Sequence, residues 1–229
     1  MIGIIGAMQE EVEAIKEYMI IEEEKKVLDS HFYIGKREDK KVVLLQGGIG
    51  KVNAAICTTL LLLNYDVSYI LNIGSAGGLQ DNQEVGDIII SNGVIHHDVD
   101  VTAFGRDIGQ VPGYPTVFLP QEALLHNVTN VLNSLHIKSH DGIIVSGDQF
   151  IATASQVGAI KKAFPNALCA EMEAAAIAQT CYKFNTPFII LRSLSDVYGK
   201  GESAMQFDEY LKIASKNSAL LCKTLIKEH

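Results

Sequence analysis

The nineteen residues Met1-Ile-Gly-Ile-Ile-Gly-Ala-Met-Gln-Glu-Glu-Val-Glu-Ala-Ile-Lys-Glu-Tyr-Met19 carry the pattern that decides the fold. The first six are an apolar, β-branched run suited to a strand buried on both faces. Met8, Val12, Ile15 and Met19 then recur at helical spacing, with Gln9, Glu10, Glu13 and Glu17 off that stripe. A buried strand, a sharp Gly6-Ala7 turn and an amphipathic helix together open an α/β unit.

Downstream the alternation continues. Residues 31–35 and 41–46 read as two strands joined by the charged turn Glu38-Asp39-Lys40. Val52, Ala55, Ile56, Thr59, Leu60 and Leu63 form the next helical stripe, and 69–73 and 87–90 are short strands flanked by glycine. Leu124, Leu125, Val128, Val131, Leu132 and Leu135 predict a helix, followed by a strand at 142–145 and a helix end at 160–164, stopped by Pro165. A strand at 167–170 runs into a helix over 172–182, and 188–191 is a further buried strand. Phe207, Tyr210, Leu211, Ala214, Leu221 and Leu225 mark a C-terminal helix. Between Ser91 and Pro120 periodicity disappears, and a loop that long in a compact domain is usually functional or at an interface. With no repeat and no linker, residues 1–229 are expected to form one α/β domain.

Composition excludes several classes. Nineteen Lys+Arg against 27 Asp+Glu give a net charge of −8, which disfavours wrapping nucleic acid or lying on an anionic membrane. Apolar residues make up 48% and charged ones 20%, enough for a large core and against wholesale disorder. Cys57, Cys169, Cys181 and Cys222 lie far apart without a C-x-x-C pair, which argues against a zinc site or disulfide framework and fits a reduced compartment. The N-terminus lacks the positive n-region and long apolar run of a signal peptide, and the apolar run at 60–63 is too short to span a bilayer. The reading is a soluble cytoplasmic protein.

Glycine-rich turns invite nucleotide readings. Gly47-Gly48-Ile49-Gly50-Lys51 fails as a phosphate loop because Val52 follows the lysine and leucine stands at position 45. The dinucleotide fingerprint fails at Asn53, which occupies the third glycine position. Polar residues that follow buried strands are more telling: Glu10 and Glu11, Ser75, Glu171 and Glu173, then Arg192, Ser195 and Asp196. In a largely parallel open sheet such strand ends gather on one edge, where ligands bind. Each acid taken alone reads equally as a helix cap or a solvated loop residue; the coincidence of four strand ends favours a pocket. Phe150, beside Ile151 at another strand end, is either core packing or a platform for a flat base.

Seven segments taken together resemble the 5′-methylthioadenosine/S-adenosylhomocysteine nucleosidases. They are Gly6-Ala7-Met8-Gln9-Glu10-Glu11, 47–55, 72–79, 97–105, Ser146-Gly147-Asp148-Gln149-Phe150-Ile151, Ala170-Glu171-Met172-Glu173-Ala174, and Ser195-Asp196. The resemblance implies a nucleoside phosphorylase-like three-layer fold, a mixed central β-sheet flanked by helices, in a homodimer without cofactor or metal. It implies hydrolysis of the N9–C1′ bond of methylthioadenosine, S-adenosylhomocysteine and 5′-deoxyadenosine, in methionine salvage. By the same resemblance Glu11 activates the attacking water and Asp196, oriented by Ser195, protonates adenine N7. Glu173 and the Met172 backbone hold the ribose hydroxyls, and Arg192 and Ser75 help position the water. Gly77 and the Ile151 backbone contact the base, over which Phe150 stacks. Met8, Ile49 and Phe207 line the alkylthio end, while Val101, Phe104 and Pro112 reach into the partner subunit's pocket. Gln9 stands where many members carry an acid, and 197–206 reads as a lid slightly longer than usual.

The chemistry agrees with those roles. Adenine is a poor leaving anion, so hydrolysis needs a protonated acid at N7 and an ionised carboxylate for water on the opposite face of the sugar, as in an inverting glycosidase. A phosphorylase of the same fold would need cationic groups beneath the ribose, where this chain offers Gln9-Glu10-Glu11 and Arg192. A binding-only sensor would not require an acid–base pair. A metal site at His96-His97-Asp98-x-Asp100 suffers because adjacent strand residues point to opposite faces.

Overall fold

The computed structural model describes residues 1–200, 210, 216, 217 and 219–226. In chain order the elements are β1 (Ile2–Gly6), α1 (Gln9–Lys16), β2 (Ile20–Val27), β3 (Ser30–Arg37), β4 (Lys40–Gln46), α2 (Lys51–Asn64), β5 (Tyr69–Gly78) and β6 (Ile88–His96). They continue as α3 (Glu122–Ser134), β7 (Ser139–Ser146), α4 (Ala154–Ala163), β8 (Ala167–Glu171), α5 (Ala174–Phe184) and β9 (Phe188–Val197), and the chain is helical again at 219–226.

The strands form one mixed sheet in the order β2-β3-β4-β1-β5-β8-β7-β6-β9, and β9 pairs back onto β5. Five strands therefore close into a ring, and β1 to β4 extend from it as an open wing. The mixed sheet flanked by helices is the one expected, and the ring closure, which the sequence does not mark, is made by β5. Its first half, Tyr69–Asn72, lies beside β1, whereas its last residues, Gly77 and Gly78, turn to pair antiparallel with β8. Along its other edge β5 runs parallel to β9 from Ile70 to Gly78.

Strand faces are apolar on both sides because helices cover both. In β4, Val43 and Leu45 pack with Ala54, Cys57 and Leu61 of α2 and the alanines of α5. Val42 and Leu44, between them, pack with Val12 and Ile15 of α1, the apolar stripe of α3 and Leu221, Cys222 and Leu225 of the C-terminal helix. All four cysteines are buried, unpaired thiols.

Several boundaries differ from the sequence reading. β2 was not expected, since Glu22, Glu23, Glu24, Lys25 and Lys26 are all exposed and give no apolar alternation. Residues 91–96, read as loop, continue β6, paired with β7 and bridged to Phe118. Helix α1 ends before Met19, and α5 begins at Ala174 rather than at 172. Helix α2 forms where expected but turns its face: Ala54, Cys57, Thr58 and Leu61 are buried, while Val52, Ile56 and Leu63 are exposed. Small residues win the inner face because α2 packs against α5, whose first turns are Ala174-Ala175-Ala176-Ile177-Ala178.

Candidate active site

A cavity of about 310 Å³ opens where β1, β5, β8 and β9 end together. Its lining includes Met8, Glu11, Ile49, Ser75, Gly77, Phe150, Ile151, Met172, Glu173, Arg192, Ser195 and Asp196, all named from sequence. Val101, Phe104 and Pro112 lie outside the lining of their own chain, with Phe104 84% exposed. Phe207 lies outside the described residues, as do residues 201–206 of the expected lid. The lid's first residues are tied down: the Tyr198 amide donates to the Gly78 carbonyl and Lys200 Nζ to the Gln83 carbonyl at 2.6 Å.

Glu11 enters the cavity from the first turn of α1 and is 2% exposed. Its Oε2 accepts the amides of Ala7 (2.8 Å) and Met8 (3.1 Å), and Oε1 accepts the amide of Ser75 (3.1 Å). The Gly6-Ala7 turn thus presents its N–H groups to a side chain of the helix it starts, which fixes one orientation of the carboxylate. Burial pushes the Glu11 carboxyl up from its ordinary value, against these amides and the nearby Arg192 charge.

Arg192, Ser195 and Asp196 lie within β9 rather than beyond it, and Ser75 lies within β5. Two consecutive β5 residues pair with non-consecutive β9 residues: Ala76 faces Leu194 and Gly77 faces Asp196. Ser195 is the extra residue of that bulge, a device that re-aims side chains beside it. Its Oγ donates to Asp196 Oδ1 at 3.1 Å. Gly77 lets β5 run close to the acid, since a Cβ there would stand 3.2 Å from Asp196 Oδ2, tighter than ordinary contact. Gly74 does the same, with Glu11 Oε1 at 3.2 Å and Arg192 Nη1 at 3.3 Å from an added Cβ.

Arg192 is 1% exposed and heavily partnered. Nε and Nη2 donate to Glu171 Oε2 at 3.1 and 2.5 Å, and Nη2 donates to Asn72 Oδ1 at 2.7 Å. Glu171 also accepts from Ser146 Oγ and from the amides of Glu173 and Ala174 at the start of α5. Glu173 accepts the Gly50 amide at 2.8 Å. Its carboxyl is pushed up to about 8, by burial first and then by the neighbouring Glu171 charge.

Asn72 and Ser146 were given no role from sequence. Asn72 was visible as one amide inside the apolar run Tyr-Ile-Leu-Asn-Ile; it also donates to the Ile5 carbonyl at 2.9 Å and so ties β5 to β1. Of the two histidines weighed as metal ligands, His96 Nε2 lies 2.9 Å from Gln179 Oε1. Among the described residues no cluster of three or more His, Cys, Asp and Glu is arranged to hold a metal ion.

The sequence matches the phosphorylase superfamily over residues 1–227. A relative from Marinomonas sp. (strain MWYL1), a 5′-methylthioadenosine/S-adenosylhomocysteine nucleosidase, is 47% identical over 99% of this chain and 98% of its own length. The chain belongs to the 5′-methylthioadenosine/S-adenosylhomocysteine nucleosidase family. The Neisseria meningitidis nucleosidase of this family, solved in complex with methylthio-immucillin-A, superposes with a TM-score of 0.96 at 39% identity, covering 100% of this chain and 99% of that one. The futalosine hydrolase of Helicobacter pylori strain 26695 shares the fold as well, with a TM-score of 0.94 at 32% identity over 100% of this chain and 97% of that one. Within the nucleosidase family the mixed sheet and flanking helices are therefore the shared frame. Among the described residues no helix is long and apolar enough to cross a membrane.

Proposed function

We propose that this protein, acting as one catalytic domain, hydrolyses the N-glycosidic bond of 5′-methylthioadenosine and S-adenosylhomocysteine, releasing adenine and the corresponding thioribose. The observation that carries the reading is the placement of two buried carboxyl groups, Glu11 and Asp196, on one small cavity, on elements that arrive from different parts of the chain. Glu11 takes a proton from water as the water attacks C1′. Asp196, oriented by Ser195, gives a proton to N7 as the base departs. Glu173 and the Met172 backbone hold the ribose hydroxyls. Gly77 and Ile151 bound the adenine plane, Phe150 covers it, and Met8 and Ile49 receive the 5′-substituent.

Hydrolysis is favoured over phosphorolysis by the state of Arg192. Among the described residues it is the cationic side chain of the cavity, and Glu171 and Asn72 already occupy its guanidinium. A phosphate dianion would meet Glu11, Glu171 and Glu173 with little left to bind it.

The functional unit in this reading is a homodimer in the cytoplasm. The exposed apolar side chains Val52, Ile56 and Leu63 of α2 and Phe104 supply a face for a second copy. Val101, Phe104 and Pro112 would then complete the partner's cavity at the 5′ end.

The deciding experiment incubates purified protein with 5′-methylthioadenosine, with and without phosphate, and follows adenine and the sugar product. Phosphate-independent adenine with free methylthioribose is the expected result. Adenine only with phosphate, alongside a ribose 1-phosphate, would overturn it in favour of a phosphorylase, and tight binding with no adenine would leave a sensor. The likeness to a futalosine hydrolase makes futalosine-type nucleosides the first additional substrates to run alongside.

A further inference from the structure

Glu171 is the most heavily bonded carboxylate of the cavity, yet the roles above leave it without a task. It stands at the end of β8, two residues before Glu173, and is buried. Its Oε1 takes the Ser146 hydroxyl and the Ala174 amide; its Oε2 takes the amides of Glu173 (3.1 Å) and Ala174 (2.9 Å) and two nitrogens of Arg192. These donors fix the carboxylate in one orientation, with Arg192 as its ion-pair partner.

The position of Arg192 shows what that charge does. Its Nε and Nη2 face Glu171 and Asn72, while Nη1 donates to the Leu191 carbonyl at 3.0 Å and borders Gly74 on the side of Glu11 Oε1. The guanidinium is thus shared ground between a structural acid and the proposed general base. A cation left to Glu11 alone would hold that carboxylate ionised but make it a poor proton acceptor.

We propose that Glu171 is a positioning residue that acts through Arg192: it draws the guanidinium away from Glu11 and so keeps Glu11 a competent base. The inference rests on the hydrolase reading above. The titratable and charged groups around Glu11 are Arg192 of β9 and Glu173 at the start of α5; those around Arg192 are Glu171, Glu173 and Glu11. Asp196 lies four residues further along β9. His96 and His97, which also feel Glu171, are held low by burial and stay neutral near neutral pH. Glu173, pushed up to about 8, stays protonated across the acid limb, so Glu171 is the charge that opposes the pull of Arg192 on Glu11, and removing it moves Glu11 toward lower pH.

The test is the pH profile of kcat/KM for adenine release from 5′-methylthioadenosine. Its acid limb reports the free enzyme's base. In Glu171→Gln the acid limb is expected to move down by about one pH unit, with kcat reduced at the plateau while KM changes little. Ser146→Ala, which removes a donor to Glu171 without touching Arg192, should lower thermal stability and leave the limb in place. Asn72→Asp places a second negative charge on Nη2 and should move the limb up; it decides the matter if Glu171→Gln is recovered unfolded. An active wild type whose limb coincides with that of Glu171→Gln, or of Asn72→Asp where only that variant folds, overturns the inference alone. A wild type that releases no adenine overturns the hydrolase reading and this inference with it.

Discussion

The two ends of the cavity are built differently. At the inner end Glu171, Arg192 and Asn72 form a buried hydrogen-bonded network, and Glu11 beside it is held by the amides of Ala7, Met8 and Ser75, all within one chain. At the mouth Ile49 is 53% exposed and Phe150 46%, each outside any helix or strand. The inner end has its geometry set by strands and a helix start before any ligand arrives, as acid–base chemistry demands. The mouth is apolar and more exposed, where tolerance of different 5′-groups costs little.

That contrast can be broken most sharply at the inner end. Asp196→Asn and Glu11→Gln should each reduce kcat by about 10²–10⁴-fold while the fold survives, read by adenine release and circular dichroism. A variant of either with near-wild-type turnover would remove the chemistry from this end. If Phe104 completes the mouth of a partner's cavity as proposed, Phe104→Ala should act on KM rather than kcat. An aromatic anchor of about 2 kcal/mol predicts a rise of roughly 30-fold in KM and a weaker dimer by analytical ultracentrifugation. An unchanged KM and mass would show that the mouth is complete in one chain.

A third test asks whether the inner network is strained by its own burial. Glu173 is raised to about 8 from an ordinary 4.5. The folded chain therefore holds a proton that the unfolded chain releases between those values, so this group's contribution is full below about 4.5 and is lost as pH rises through about 8. Urea unfolding at pH 5 and pH 8.5 should show wild type losing stability relative to Glu173→Gln as pH rises; a constant gap would place Glu173 in a more solvated setting. The smallest effect belongs to the loop that carries Phe150. Thr153 caps α4 by accepting the Gln156 amide, and Thr153→Ala should cost about 1 kcal/mol in the same assay without altering the pH profile.

Much of this was legible in the sequence because the relevant residues sit at abrupt changes of character. Glu11 follows Ile-Ile-Gly-Ala, and Glu171 and Glu173 end the apolar strand Ala167–Glu171. What stayed hidden depends on partners distant in the chain. The five-stranded ring follows from β5 turning at Gly77-Gly78, and a period-two pattern has no mark for closure. The bulge at Ser195 exists only relative to Ala76 and Gly77 on another strand. In α2 the larger residues Val52, Ile56 and Leu63 outshone Ala54, Cys57 and Thr58, although close approach of α5 selects the small side. Strand β2 is held by pairing with β3, so its own side chains carry no apolar rhythm.

Ring closure and that charged strand have a joint consequence for how the protein keeps company. With β9 paired back onto β5, β2 is the terminal strand of the sheet. A neighbouring chain seeking to add a strand would have to do so along Glu22-Glu23-Glu24-Lys25-Lys26, stripping water from a row of exposed charges. Edge-to-edge stacking is opposed along this terminal strand of the described residues.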